Sequence, residues 1–274
     1  MRTVVHLSDI HFGRIDRTTV QPLKDAISRI KPDLLAVSGD LTQRARRTEF
    51  AQARGFLDAL PFQRLVVPGN HDVPLHNVFR RFVTPLARYT QAITDDLAPV
   101  YRDEEMIVVG VNTARSWTWG EGRINAGQVD QIVEHLSGVS KGLIRIVVTY
   151  HPFDLPEGVK EARLLGRAAM AMEKLSAAGA DLFLAGHLHI SHIGHTAERY
   201  NIAGHSALVV QAGTVSTRSR GEQPSFNVLR IERPRISVER LVWDPDRGAF
   251  AEMTASHFVH TETGWSSADP GASA

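Results

Sequence analysis

The 274-residue chain contains no cysteine. That absence removes disulfide bridges, thiol nucleophiles and Cys-ligated zinc, and leaves the redox compartment open. Long apolar runs are missing as well: none approaches the roughly 18 residues that read as a membrane-spanning helix. No basic stretch with a following apolar segment and cleavage site precedes Val4-Val5-His6-Leu7, so a cytoplasmic protein is expected. Net charge is nearly nil. The balance of 31 Lys plus Arg against 30 Asp plus Glu gives +1, and with it no reason to expect a polyanionic partner. The densest basic cluster, Arg44-Ala45-Arg46-Arg47, is too short for a nucleic-acid tract. It reads as a solvated helix start, close enough to Asp40 to touch a substrate phosphate. The chain has no internal repeat.

What is present suits a folded α/β protein. Apolar residues make up 43% and charged residues 22%, enough for a sizeable core. Apolar, β-rich runs at 3–8, 34–38, 64–67, 106–112, 143–150 and 181–185 are unbroken, as in strands buried on both faces. Helical stripes alternate with them: Val20, Leu23, Ile27 and Ile30; Phe50, Ala53, Leu57 and Leu60; Val129, Ile132, Val133 and Leu136. Asn125 with Gln128 three residues on reads as a capping box for the third. A fourth helix is expected over about 160–178, ending at Gly179. Beyond His189 the runs near 191–199, 205–212, 225–231 and 235–243 are short and punctuated, as in antiparallel strands. One domain over 1–253, with two packed sheets and helices outside, is the expected organisation. From 254 to 274 the composition turns to Ser, Gly, Ala and Asp, and a flexible tail is expected.

Five blocks share one chemistry: Asp9-Ile10-His11, Gly39-Asp40, Gly69-Asn70-His71-Asp72, Tyr150-His151-Pro152 and Gly186-His187-Leu188-His189. Each follows a β-like run. Asp9 and His11, like His187 and His189, are two apart, so the end of an extended strand would point both side chains into one pocket. The mouth of a parallel sheet is where α/β proteins bind ligands. Mixed N/O donors without thiolate fit manganese, iron or zinc better than calcium or magnesium. Two such cations, about 3.5–4 Å apart, would lower the pKa of a water held between them until hydroxide forms near neutral pH. A lone Asp-x-His is ordinary loop, and a lone Gly-Asn-His-Asp is more often a turn. The conjunction of all five, in this order, carries the argument.

In that order the blocks resemble the signature of the calcineurin-like metallophosphoesterase superfamily, with every motif position filled between residues 9 and 189. The resemblance implies a four-layer α/β/β/α sandwich of two mixed sheets flanked by helices. It implies two divalent ions (Mn, Fe or Zn). Asp9, His11, Asp40 and His189 would hold one, and Asp40, Asn70, His151 and His187 the other, with Asp40 bridging. It implies that His71 is no ligand but protonates the leaving oxygen, with Asp72 orienting it.

Within the superfamily the pattern is closest to bacterial class III cyclic nucleotide phosphodiesterases and their glycerophosphodiesterase relatives. Hydrolysis of a small phosphodiester is expected, with a 3′,5′-cyclic nucleotide as first choice. No nucleic-acid polymer is expected as partner, and assembly as a homodimer is allowed. The alternatives are a UDP-2,3-diacylglucosamine pyrophosphatase of lipid A synthesis and a metal-poor scaffold subunit. The former commonly carries Arg where His71 stands, and the latter typically lacks ligand histidines that are all present here. A lipid substrate would require an apolar surface, for which the segment 78–97 is the candidate, core packing being the equal alternative. Selectivity is expected from the segment 112–120. There Arg115 would neutralise a phosphate oxygen, and Trp117 and Trp119 would stack on a base or sugar or else cover the core edge.

Overall fold

The computed structural model describes residues 1–75, 77–118, 120–140, 142–200, 205–218 and 220–268. Two mixed sheets pack face to face, with helices on both outer surfaces. The first 111 residues alternate as the apolar runs predict. β1 (Arg2–Leu7), α1 (Arg17–Ile30), β2 (Leu34–Val37), α2 (Arg47–Asp58) and β3 (Arg64–Val66) precede two short helices, α3 (Val78–Val83) and α4 (Ala87–Ala92), and then β4 (Val100–Arg102) and β5 (Met106–Val111). The chain continues with α5 (Ala126–Ser137), β6 (Ile144–Thr149), α6 (Ala168–Ala177), β7 (Leu182–Ala185), β8 (His192–His195), α7 (Thr196–Arg199) and β9 (Leu208–Gln211). Four strands complete it: β10 (Ser225–Glu232), β11 (Arg235–Asp244), β12 (Ala249–Thr261) and β13 (Gly264–Ser267).

One sheet has the order β13-β12-β11-β10-β1-β2-β3, the other β4-β5-β6-β7-β9-β8. Alternation along β1 shows why both of its faces carry apolar residues. Val4 lies in the core between the sheets, whereas Val5 and Leu7 face the core under α1 and α2. The second sheet does likewise, with Ile146 and Val148 turned inward and Val147 turned toward α5 and α6. Three apolar layers therefore separate four structural layers, the predicted α/β/β/α sandwich. Asn125 caps α5, and its side chain and that of Gln128 satisfy each other's backbone amides, as expected.

Three expectations are corrected. The helix expected over 160–178 is α6, which begins only at Ala168 after a single 3-10 turn, Glu161–Arg163. The run at 205–212 is antiparallel on one side only: β9 pairs antiparallel with β8, His195 opposite Leu208, but parallel with β7, Leu182 opposite Leu208. Nor does the chain fray at 254: β12 runs through to Thr261 and β13 pairs with it. Trp265, 1% exposed, anchors this end by donating from Nε1 to Asp181 Oδ1 at 3.0 Å. The small polar residues that suggested a tail conceal Phe258 and Trp265, both buried between the sheets.

Candidate metal centre

The blocks converge at one end of both sheets, where β1, β2, β6 and β7 stop. They do not do so by extended alternation. Asp9 (φ 54°), His11 (49°), Asp40 (51°), His187 (74°) and His189 (58°) all adopt left-handed backbone, five of the eight non-glycine residues that do so among those described. This region is sparsely populated for side-chain-bearing residues and clusters at functional sites. Tight turns after the strands, rather than the strands themselves, swing each pair of side chains inward. Gly69 is extended (φ −102°), and its requirement is space: a Cβ there would meet Asp40 Oδ1 at 2.1 Å.

Two groups of donor atoms lie within 4.8 Å of one another, Asp9, His11 and His189, and His11, Asp40 and His71. His189 Nε2 is 3.0 Å from Asp9 Oδ1 and 3.2 Å from His11 Nε2; His11 Nε2 is 3.6 Å from Asp40 Oδ2. Their other nitrogens are held by carbonyls, His11 Nδ1 by Thr42 O and His189 Nδ1 by Arg218 O. The remaining expected ligands are looser. The rings of His151 and His187 face each other at 4.8 Å, and His151 Nδ1 meets Thr113 Oγ1 at 2.8 Å. His151 Nε2 and Asn70 Oδ1 are buried without any hydrogen-bond partner.

Tyr150, quoted in the motif only as a neighbour, joins the two carboxylates: its hydroxyl donates toward Asp9 Oδ1 and Asp40 Oδ2. Burial and the neighbouring Asp9 and Asp72 charges push the Asp40 carboxyl well up. Burial pushes the His151 and His187 imidazoles down, His187 to about 3, which keeps both neutral with lone pairs available. Paired buried carboxylates, neutral imidazoles and two orphaned acceptors are a donor set that divalent cations would satisfy.

His71 and Asp72 do not form the expected pair. His71 Nδ1 donates to Gln43 O at 2.8 Å, which leaves Nε2 facing the site. The Asp72 carboxylate, fully buried, accepts instead from the amides of Gly69, Leu41 and Thr42 and from Thr42 Oγ1. It staples the turn carrying Asn70 to the turn carrying Asp40. Burial pushes Asp72 up to about 6 against those four donors.

The selectivity segment also differs from expectation. Arg115 Nη2 is tied to Gln128 Oε1 at 2.7 Å, though it stays near enough to His151 to act on it electrostatically. Trp117 is exposed and rests on Phe82 of α3. Trp119 lies outside the described residues. Cationic side chains missed in the sequence do reach the site: Arg218 Nη1 is 2.9 Å from His71 Nε2 and 3.4 Å from His11 Nε2, and Arg163 Nη1 is 3.5 Å from His187 Nε2. The signal for Arg218 was its place after β9, since a strand parallel to β7 ends where β7 ends.

The chain belongs to the calcineurin-like phosphoesterase family, whose profile matches residues 2–191. Over 82 residues it is 35% identical to the glycerophosphodiester phosphodiesterase GpdQ of Enterobacter lignolyticus (strain SCF1), a stretch covering 25% of this chain and 29% of that relative. A dimetal phosphatase from Danio rerio superposes with a TM-score of 0.62 at 15% identity, over 92% of this chain and 98% of that one. Purple acid phosphatase PPD1 from yellow lupin seeds gives 0.65 at 12% identity, over 93% and 53%. At such identities the likeness is one of fold. No helix among the described residues is long and apolar enough to cross a membrane.

Proposed function

We propose that the chain is a dinuclear metal-dependent phosphodiester hydrolase. The observation that carries this reading is the pair of buried, unpartnered acceptors, Asn70 Oδ1 and His151 Nε2, opposite the Asp9, His11 and His189 cluster. Asp9, His11, Asp40 and His189 would hold one ion, and Asp40, Asn70, His151 and His187 the other. When bound, two such ions polarise the phosphoryl oxygens and supply a nucleophile from water at neutral pH.

The chain's own groups supply the rest. The Gln43 carbonyl fixes the His71 tautomer, so that Nε2 points into the site. Burial, then His11 and Arg218, push His71 down to about 4, so its resting form is the neutral acceptor of the Arg218 bond. An anionic phosphate would draw the Arg218 guanidinium to itself and favour imidazolium at His71. His71 would then carry a proton to the leaving oxygen only with substrate in place.

The stretch shared with GpdQ favours a glycerophosphodiester, and a 3′,5′-cyclic nucleotide is the second candidate. The test is a manganese-supplemented screen over bis-p-nitrophenyl phosphate, a glycerophosphodiester, a cyclic nucleotide and a UDP-sugar lipid. Turnover of the first two is expected. Cleavage of the UDP-sugar lipid alone would replace the reading by a pyrophosphatase, and no turnover with manganese, iron or zinc would revive the scaffold.

A further inference from the structure

Eight large apolar side chains are exposed among the described residues, and five of them, Val78, Phe79, Phe82, Val83 and Trp117, belong to α3 and the turn facing it. Segment 78–83 is thus no core element. Phe79 is 73% and Trp117 83% exposed, and the Phe82 and Trp117 rings meet with centroids 4.7 Å apart, which makes one continuous ridge. Arg81, buried beneath it, fastens the ridge to the rim of the metal centre. One of its nitrogens donates to Pro74 O, just beyond Asp72, and another to Thr118 O.

Between α2 and α4, the helix that follows α3 along the chain, a hollow of about 380 Å³ is lined by Arg47, Arg54 and Arg88, with no carboxylate in its wall. Asp58 engages Arg54 at 2.5 Å, and Arg88 is pinned to Ala45 O at 2.7 Å. Burial, then Arg80 of α3 and Arg47, push the Arg88 guanidinium down, so the ridge and the hollow share one positive field.

A contiguous apolar patch of this kind marks a surface that something covers. A twofold interface uses the same patch on both subunits, so a second copy seated here would bring a like positive field against this one. Aromatic and aliphatic side chains with Arg80 on the same helix and Arg88 on the next instead match an anionic bilayer. The acyl boundary receives the ridge, and headgroup phosphates match the hollow. We propose that this face docks the protein on an anionic lipid surface, with the rim of the metal centre turned toward it. The contact is interfacial and independent of metal.

The test is co-sedimentation of the full chain with phosphatidylcholine vesicles, with and without added phosphatidylglycerol, at low and high salt. Binding is expected only with phosphatidylglycerol and should weaken several-fold at high salt. Phe79→Ser combined with Val83→Ser should lower it about 10-fold or more, and Arg80→Glu about 5-fold or more. Both variants should keep wild-type melting temperature and wild-type turnover of bis-p-nitrophenyl phosphate. Equal binding to both vesicle types, or undiminished binding by the Phe79/Val83 variant, overturns the proposal. So does a wild-type dimer that this variant dissociates while neither protein binds vesicles. Because vesicle binding needs no catalysis, its failure and a failure of the hydrolase reading are separate results.

Discussion

Around Asp9, His11 and His189 every ring nitrogen has a partner within the protein, whereas around Asn70 and His151 two buried acceptors have none. The first half of the centre is assembled from turns that follow β1 and β7, and its two imidazoles meet Nε2 to Nε2 at 3.2 Å. The second would draw one ligand from the turn after β3 and another from the turn after β6, and its two rings, with centroids 4.8 Å apart, share no hydrogen bond. The difference teaches that the halves are organised by different means. In the first, the Thr42 and Arg218 carbonyls hold the far nitrogens of His11 and His189 and so turn both Nε2 atoms toward Asp9. In the second, burial holds the donors in place, and an unmade hydrogen bond in the interior costs about 1–3 kcal/mol.

The comparison can be broken most severely at Asp40, the residue both halves would share. Asp40→Ala should empty both halves and abolish activity, and two metals per chain by elemental analysis would contradict the bridging role. His151→Ala acts on the second half alone. It should leave about one metal per chain, and loss of both would show that the halves bind as a unit. His71→Ala distinguishes a ligand from a proton carrier, because His71 also lies within reach of His11 and Asp40. Metal content should stay near wild type while turnover drops about 100-fold or more.

The smallest effect concerns pH. Burial would raise the Asp154 carboxyl, but the His192 and Arg199 hydrogen bonds outweigh it and hold it below its ordinary value. Its ionised form therefore adds stability above about pH 4, and that contribution is lost as pH falls through the depressed folded value. Asp154 bonds Arg199 at 2.6 Å, so its protonation should release that arginine and loosen the segment just beyond His151. The gap in melting temperature between wild type and Asp154→Asn should narrow below that pH.

The order of strands and the convergence of the five blocks were legible in the sequence because both depend on neighbours along the chain. An apolar run declares a strand, and a Gly-Asn-His-Asp at its end declares a turn. What stayed hidden depends on distant partners. Asp72 could not be seen to bind the Leu41 and Thr42 amides, nor His71 the Gln43 carbonyl, since each pairing crosses from one turn to another. Arg218 was missed because the direction of β9 is set by pairing with β7, which local pattern does not encode. Trp265 was lost within a polar composition average, although one indole reaching Asp181 holds the end of β12 and β13 in place.

The left-handed turns at Asp9, His11, Asp40, His187 and His189 have an evolutionary side. Each holds a conformation that glycine accepts freely and that costs another residue about 1 kcal/mol or more. A drifting sequence that exchanged any of them for glycine would relax the backbone at that point and forfeit a ligand. At these five positions a relaxed backbone and the proposed metal centre are opposed, a local form of the trade between stability and activity.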